Sequence, residues 1–213
     1  MKLVCIGDSI TKGTYCEALG HPSGVANPCF GEIVRDRIGA DKFVNHGQNG
    51  ISYSSLSPTF PECCFATNVS KYECGDVIII AGGTNDYTNS VPLGAEADTE
   101  DLSFFGAVDR TLKTIKERNP GSVILVITPI RRKNEQFTNK IGLHLDDYRN
   151  AIEIKAQKYS LTVMNGKDVP INPENEDQLR KYMHDGLHPN ENGHPIYAEA
   201  ILGNLLPLIS ENI

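Results

Sequence analysis

Residues 76–86 read DVIIIAGGTND, and this stretch decides the fold. Asp76–Ala81 is apolar and β-branched at consecutive positions rather than alternating, the pattern of a strand covered on both faces. Such a strand belongs at the centre of a parallel sheet with helices on either side. It stops at Gly82-Gly83, where two glycines let the chain turn sharply and approach a ligand. Thr84-Asn85-Asp86 then falls just beyond the strand's carboxyl end, the edge at which open α/β sheets bind their ligands.

The flanking chain repeats the pattern. Lys2–Ile6 reads as a short strand ending at Gly7, residues 29–39 as a helix, and Lys42–Asn45 as a further strand. Residues 102–118 carry Phe105, Val108, Leu112 and Ile115 at helical offsets, and Asn119-Pro120-Gly121 ends them. Ser122–Thr128 (SVILVIT) is a second buried strand, stopped by Pro129. In 146–159 the apolar positions again follow the helical period, Leu161–Met164 is a last short strand, and 191–210 is a terminal helix. Strand and helix alternate, which predicts a parallel sheet with helices on both faces. With no repeat, low-complexity tract or linker, residues 1–213 are expected to form a single domain.

Composition narrows the function. Twenty Lys and Arg against 27 Asp and Glu leave a net charge of −7, which disfavours nucleic acid and anionic membranes as partners. The longest strictly apolar runs, such as Val77–Ala81, fall far short of the ~20 residues that span a bilayer. No charged-then-apolar leader precedes the first strand, so a cytoplasmic location is expected. The six cysteines contain no CxxC pair and read as reduced, structural thiols, with no metal or cofactor implied.

Four polar clusters carry the chemistry. Gly7-Asp8-Ser9 follows the first strand and places a hydroxyl at the ligand-binding edge, though a serine there also suits a turn or helix cap. Asp185-Gly186-Leu187-His188-Pro189 precedes the last helix. Its bend can set a carboxylate against one imidazole nitrogen and leave the other free to take a proton. A helix-capping loop with an incidental histidine is the plainer alternative. Gly82-Gly83-Thr84-Asn85-Asp86 offers an amide donor, and Asn45-His46-Gly47-Gln48-Asn49-Gly50 offers a glycine N–H or simply a tight turn.

Together these blocks resemble the SGNH (GDSL-type) hydrolase family: GDSITKG with Ser9, NHGQNGIS with Gly50, GGTND with Asn85, and DGLHP with Asp185 and His188. They occur in the family's order and span residues 7–189. The resemblance implies a flavodoxin-like three-layer α/β/α sandwich with a central parallel sheet of about five strands. It also implies a serine hydrolase without cofactor, in which Ser9 is the nucleophile, His188 the base and Asp185 its partner. The N–H groups of Ser9 and Gly50 and the Asn85 amide would form the oxyanion hole. Asp8, Gly83 and His184 are candidates for a supporting rank around them.

Other signatures fail. Ser9-Ile10-Thr11-Lys12 fits SxxK, but the SDN and KTG elements that should accompany it are missing. There is no GxSxG elbow and no GxGxxG after a strand. His46 and His194 read as structural, and His184 as an exposed loop histidine unless it contacts substrate.

Substrate choice is expected in the loops after the strands, where acidic residues crowd 96–101 and basic ones 131–133. A polar rim suits a small-molecule ester with a short acyl chain, foremost O-acetyl groups on sugars. The alternatives are a lysophospholipase or thioesterase-type acylhydrolase and, in a different class, a catalytically inactive carbohydrate- or protein-binding domain. The sequence leaves the oligomeric state open.

Overall fold

The computed structural model describes residues 1–211. From the N-terminus the chain runs β1 (Lys2–Gly7), α1 (Ser9–Lys12), β2 (Thr14–Tyr15), β3 (Gly24–Val25), α2 (Phe30–Ile38), β4 (Lys42–Gly47) and α3 (Phe65–Asn68). It continues through β5 (Val77–Ala81), α4 (Thr84–Thr88), α5 (Phe104–Arg118), β6 (Val123–Ile127), α6 (Leu145–Lys158), β7 (Thr162–Met164), α7 (Glu176–Tyr182) and α8 (Gly193–Glu211). Five strands form one parallel sheet in the order β4-β1-β5-β6-β7, while β2 and β3 pair as a small antiparallel ribbon. The sheet order is that of a flavodoxin-like, doubly wound fold, with its switch point between β1 and β5.

The alternating side chains of the strands divide the core in two. Val4, Ile6, Ile78, Ile80, Ile124 and Val126 face α5 and α6, where Val108, Leu112, Tyr148 and Ile152 meet them. Leu3, Cys5, Val77, Ile79, Leu125 and Ile127 face α2 and α8, against Phe30, Val34, Tyr197, Ile201 and Leu205. Every residue of β5 is buried, as its unbroken apolar run requires. Each isoleucine so enclosed contributes roughly 1.5–3 kcal/mol. This is a three-layer α/β/α sandwich around five parallel strands.

The long elements fall within a residue or two of their expected bounds. The Ser103 side chain accepts from Gly106 N at 3.1 Å and starts α5 directly before Phe104, its first core residue. Gly39, at φ 66°, ends α2. The short pieces are new: α1, α3, α4, α7 and the ribbon are too brief to show a hydrophobic period and are held by tertiary contacts. The six cysteines are free. No helix among the described residues is long and apolar enough to cross a membrane.

Candidate active site

The carboxyl ends of β1, β4 and β5 bring the first three polar blocks together, and the loop before α8 brings the fourth. Asp8 caps α1, its Oδ1 accepting from Ile10 N at 2.9 Å, so Ser9 is the first residue of that helix. Burial pushes the Asp8 carboxyl up to about 6, against the pull of that backbone bond and of His188. Ser9 Oγ lies 2.8 Å from His188 Nε2, and His188 Nδ1 lies 2.7 Å from Asp185 Oδ2. Ser9 and His188 are both buried, at 7% and 8% exposure, so water screens their contact little.

Asp185 does more than face the imidazole. Its Oδ1 accepts from Leu187 N at 2.9 Å and His188 N at 2.7 Å, which folds the bend. Its Oδ2 accepts from Cys16 N at 2.9 Å as well as from the ring. Burial works to raise its pKa, but the His188 ring, the His188 backbone N–H and the Cys16 N–H together hold the carboxyl well below the usual range. The other end of Cys16 is gripped too: His184 Nε2 meets Cys16 O at 2.9 Å.

His184 is therefore not an exposed loop residue. It is 4% exposed, stacked on His21 at 5.1 Å, and bonded through Nδ1 to Asn190 Nδ2 at 3.3 Å. His194 lies in the core, where its Nδ1 accepts from Phe30 N at 3.1 Å and burial lowers its pKa to about 4. His46 is half-buried against Tyr72.

On the opposite flank stand the donors. Gly50 adopts φ 76°, and a Cβ there would come within 3.0 Å of the Phe60 ring, so both conformation and space favour glycine. Gly83, at φ 107°, turns the chain from β5 into α4 and presents Asn85 on the first turn. One Asn85 Nδ2 hydrogen is spent on Ile51 O at 2.9 Å, which ties the Gly50 loop to α4 and leaves the second hydrogen to donate elsewhere. Among the described residues neither Ser9 N nor Gly50 N donates to a protein acceptor.

Nothing in the sequence singled out Asp86, which underpins this flank. Its two oxygens accept from Tyr53 N at 2.9 Å and Ser54 N at 3.1 Å, and complete burial pushes its carboxyl up to about 7. Asp101 performs a like task one turn on, accepting from Ser54 Oγ at 2.8 Å. The one group of three potential metal ligands among the described residues is Cys16, Asp185 and His188, whose ligand atoms lie within 4.8 Å of one another. Two of those three already bond each other.

Several of the acidic and basic residues of the rim have partners within the protein. Asp98 is occupied by Ala95 N and Ser103 Oγ, and Asp101 by the Ser54–Ser55 turn. Arg131 pairs with Glu135 at 3.3 Å and Lys133 with Glu176 at 3.5 Å. Most of the loop charge is spent on holding the loops.

A hydroxyl, an imidazole and a carboxylate thus lie in line, beside N–H groups with no protein acceptor at the mouth of a doubly wound sheet, an arrangement that suits hydrolysis. The family comparison agrees, and the chain belongs to the GDSL-like lipase/acylhydrolase family, whose profile matches residues 5–196. No curated protein matches it. Among solved structures it is similar to a Lactobacillus plantarum protein at 24% identity and TM-score 0.83, covering 97% of this chain and 96% of that one. It is also similar to a possible lipase from Chitinophaga pinensis (21%, TM-score 0.73, covering 97% and 98%). A member of the lipolytic G-D-S-L family from Veillonella parvula shares 18% identity at TM-score 0.62, covering 95% and 97%. At these identities the structural likeness establishes the fold.

Proposed function

We propose that residues 1–213 form a single serine esterase domain that hydrolyses short-chain acyl esters, foremost O-acetyl groups on sugars or similar polar alcohols. The observation that carries the reading is the unbroken line Ser9 Oγ, His188 Nε2, His188 Nδ1, Asp185 Oδ2, with contacts of 2.8 and 2.7 Å. Ser9 Oγ attacks the ester carbonyl as its proton passes to His188 Nε2. Asp185 keeps the Nδ1 proton in place and stabilises the imidazolium. The tetrahedral oxyanion receives the N–H groups of Ser9 and Gly50 and the second Asn85 amide hydrogen. Collapse expels the alcohol, which takes the proton from His188. Water then attacks the acyl-enzyme by the same route, releasing the acid and regenerating Ser9.

Two features support a small acyl group and a polar alcohol. The half-exposed Phe60 ring stands next to Gly50, where it can border a small acyl group. The surrounding loops carry exposed Leu56, Leu102 and Phe137 but are cross-linked by polar contacts, with Asp98 and Asp101 accepting from Ser103 Oγ and Ser54 Oγ and Asn89 donating to Ser57 Oγ. The test is Ser9→Ala and His188→Ala against p-nitrophenyl esters of increasing chain length and against acetylated saccharides. Both variants are expected to lose turnover while remaining folded. Near-normal turnover in Ser9→Ala refutes the nucleophile, and a strong preference for long acyl chains refutes the substrate.

A further inference from the structure

Three consecutive basic residues follow β6, and their fates differ. Arg131 and Lys133 each have a carboxylate at ion-pair distance; among the described residues Arg132, between them, has none so near, although the charges of Glu135 and Asp185 reach it from farther off. Yet Arg132 is the most firmly positioned of the three. Its Nη1 donates to Thr84 Oγ1 at 3.1 Å and Thr88 Oγ1 at 2.8 Å, both on α4, and its guanidinium lies 5.5 Å from the centre of the Tyr87 ring. Tyr87 is fixed in turn through its hydroxyl to Phe137 O at 3.0 Å.

The place matters as much as the fixation. Thr84 is the residue before Asn85, so the guanidinium stands on the helix that presents the amide donor. On the other side, Lys133 N donates to Gly186 O at 2.7 Å, which docks this loop onto the Asp185–His188 bend. Arg132 thus sits between the two halves of the candidate site. Its Nε and Nη2 donate to no protein atom and are not among the buried, unpartnered polar atoms, so they remain open to solvent. Burial pulls the guanidinium pKa down, but an arginine keeps its full charge at any physiological pH.

A guanidinium held rigid by Thr84 and Thr88, with one edge open at the site and only the more distant charges of Glu135 and Asp185 to balance it, is preorganised to receive an anion. We infer that Arg132 receives an anionic group, carboxylate or phosphate, on the alcohol part of the ester substrate. The free edge of the guanidinium offers the two parallel donors that either anion accepts. The inference rests on the esterase reading above. It adds that the polar alcohol is acidic, since an acetyl group has no room for a charge of its own.

The experiment uses matched acetate esters. For carboxylate the pair is 4-acetoxybenzoate and its methyl ester; for phosphate it is 1-acetylglycerol 3-phosphate and 1-acetylglycerol. Each kcat/KM is divided by the hydroxide-catalysed rate of the same ester. The wild-type enzyme is expected to prefer the anionic member of at least one pair, and the responding pair names the anion. In Arg132→Gln the anionic-to-neutral ratio should fall about ten-fold, mainly through KM, with Arg132→Lys between the two. Equal losses on both members, or a wild-type enzyme with no preference in either pair, would overturn the assignment. Ser9→Ala run in parallel separates the two ideas. If it retains turnover the esterase reading fails, whereas if it is inert and the ratio is flat only the role of Arg132 fails.

Discussion

Asp185→Asn is the sharpest probe of the site, because the structure dictates how the amide must sit. Each carboxylate oxygen accepts two hydrogen bonds: Oδ1 from Leu187 N and His188 N, Oδ2 from Cys16 N and the His188 ring. Asparagine can place its oxygen at one position only. With the oxygen toward Leu187 and His188 N, its NH2 opposes Cys16 N–H, and the ring must move its proton from Nδ1 to Nε2. With the oxygen toward the ring, the NH2 opposes two backbone N–H groups that cannot change.

The first arrangement therefore leaves one donor unmatched and the second leaves two, a difference of about 1–3 kcal/mol. The favoured arrangement has Nε2 protonated and unable to accept from Ser9. Population alone then lowers turnover by roughly five- to 150-fold, and loss of the negative charge beside the imidazolium takes the total toward ~10⁴. The unmatched N–H should also lower Tm by a few degrees. The assay is nitrophenolate release from p-nitrophenyl acetate, with circular dichroism melting on the same samples. A folded Asp185→Asn enzyme with more than about a tenth of wild-type kcat would refute the argument and reduce the acid to a loop-holding role.

Three further outcomes are expected. Gly50→Ala should cost about 1–2 kcal/mol of stability for the left-handed backbone at φ 76°. It should lower kcat more than it raises KM; unchanged kcat in esterase assays would remove Gly50 from the oxyanion hole. Asp86→Ala strands Tyr53 N and Ser54 N, so a loss of about 2–4 kcal/mol in urea unfolding is expected, with reduced kcat as the Gly50 loop loosens. An unaffected kcat would show that Asp86 serves the core alone. His194 has a folded pKa of about 4, below its unfolded value, so the unfolded chain binds the extra proton and stability drains away as pH falls from 6.5 to 4. That contribution reaches about 3 kcal/mol. Asp8 and Asp86, with folded pKa values raised to about 6 and about 7, run the other way, costing stability as pH rises from about 4. His194→Gln should thus flatten the acid-side fall of Tm, and an identical pH slope in variant and wild type would refute the shift.

The long elements were legible because burial writes itself into consecutive or periodic apolar residues, as in Val77–Ala81 or Phe105, Val108, Leu112 and Ile115. Ser9, Gly50, Asn85, Asp185 and His188 drew attention because their four blocks together resemble one family's motif set, while each block alone also suited a turn or a cap. What escaped depends on backbone atoms or distant partners. Cys16 holds Asp185 through its N–H, a group every non-proline residue carries, from 169 positions away. Asp86 looked like one more polar residue of a turn, since only the fold brings Tyr53 and Ser54 over it. Arg132 was read as part of a basic rim, and the difference between it and its neighbours lies wholly in which glutamates reach them.

The contact between Ser9 and His188 joins positions 179 residues apart. On the ribosome, the Ser9 hydroxyl would emerge early and wait for the whole sheet before His188, its proposed base, arrived. Under the proposed mechanism, hydrolysis waits until the loop before α8 has docked onto the end of β1. On that proposal a chain cut before His188 is inert, and turnover reports that the first strand and the loop before α8 have closed on one another.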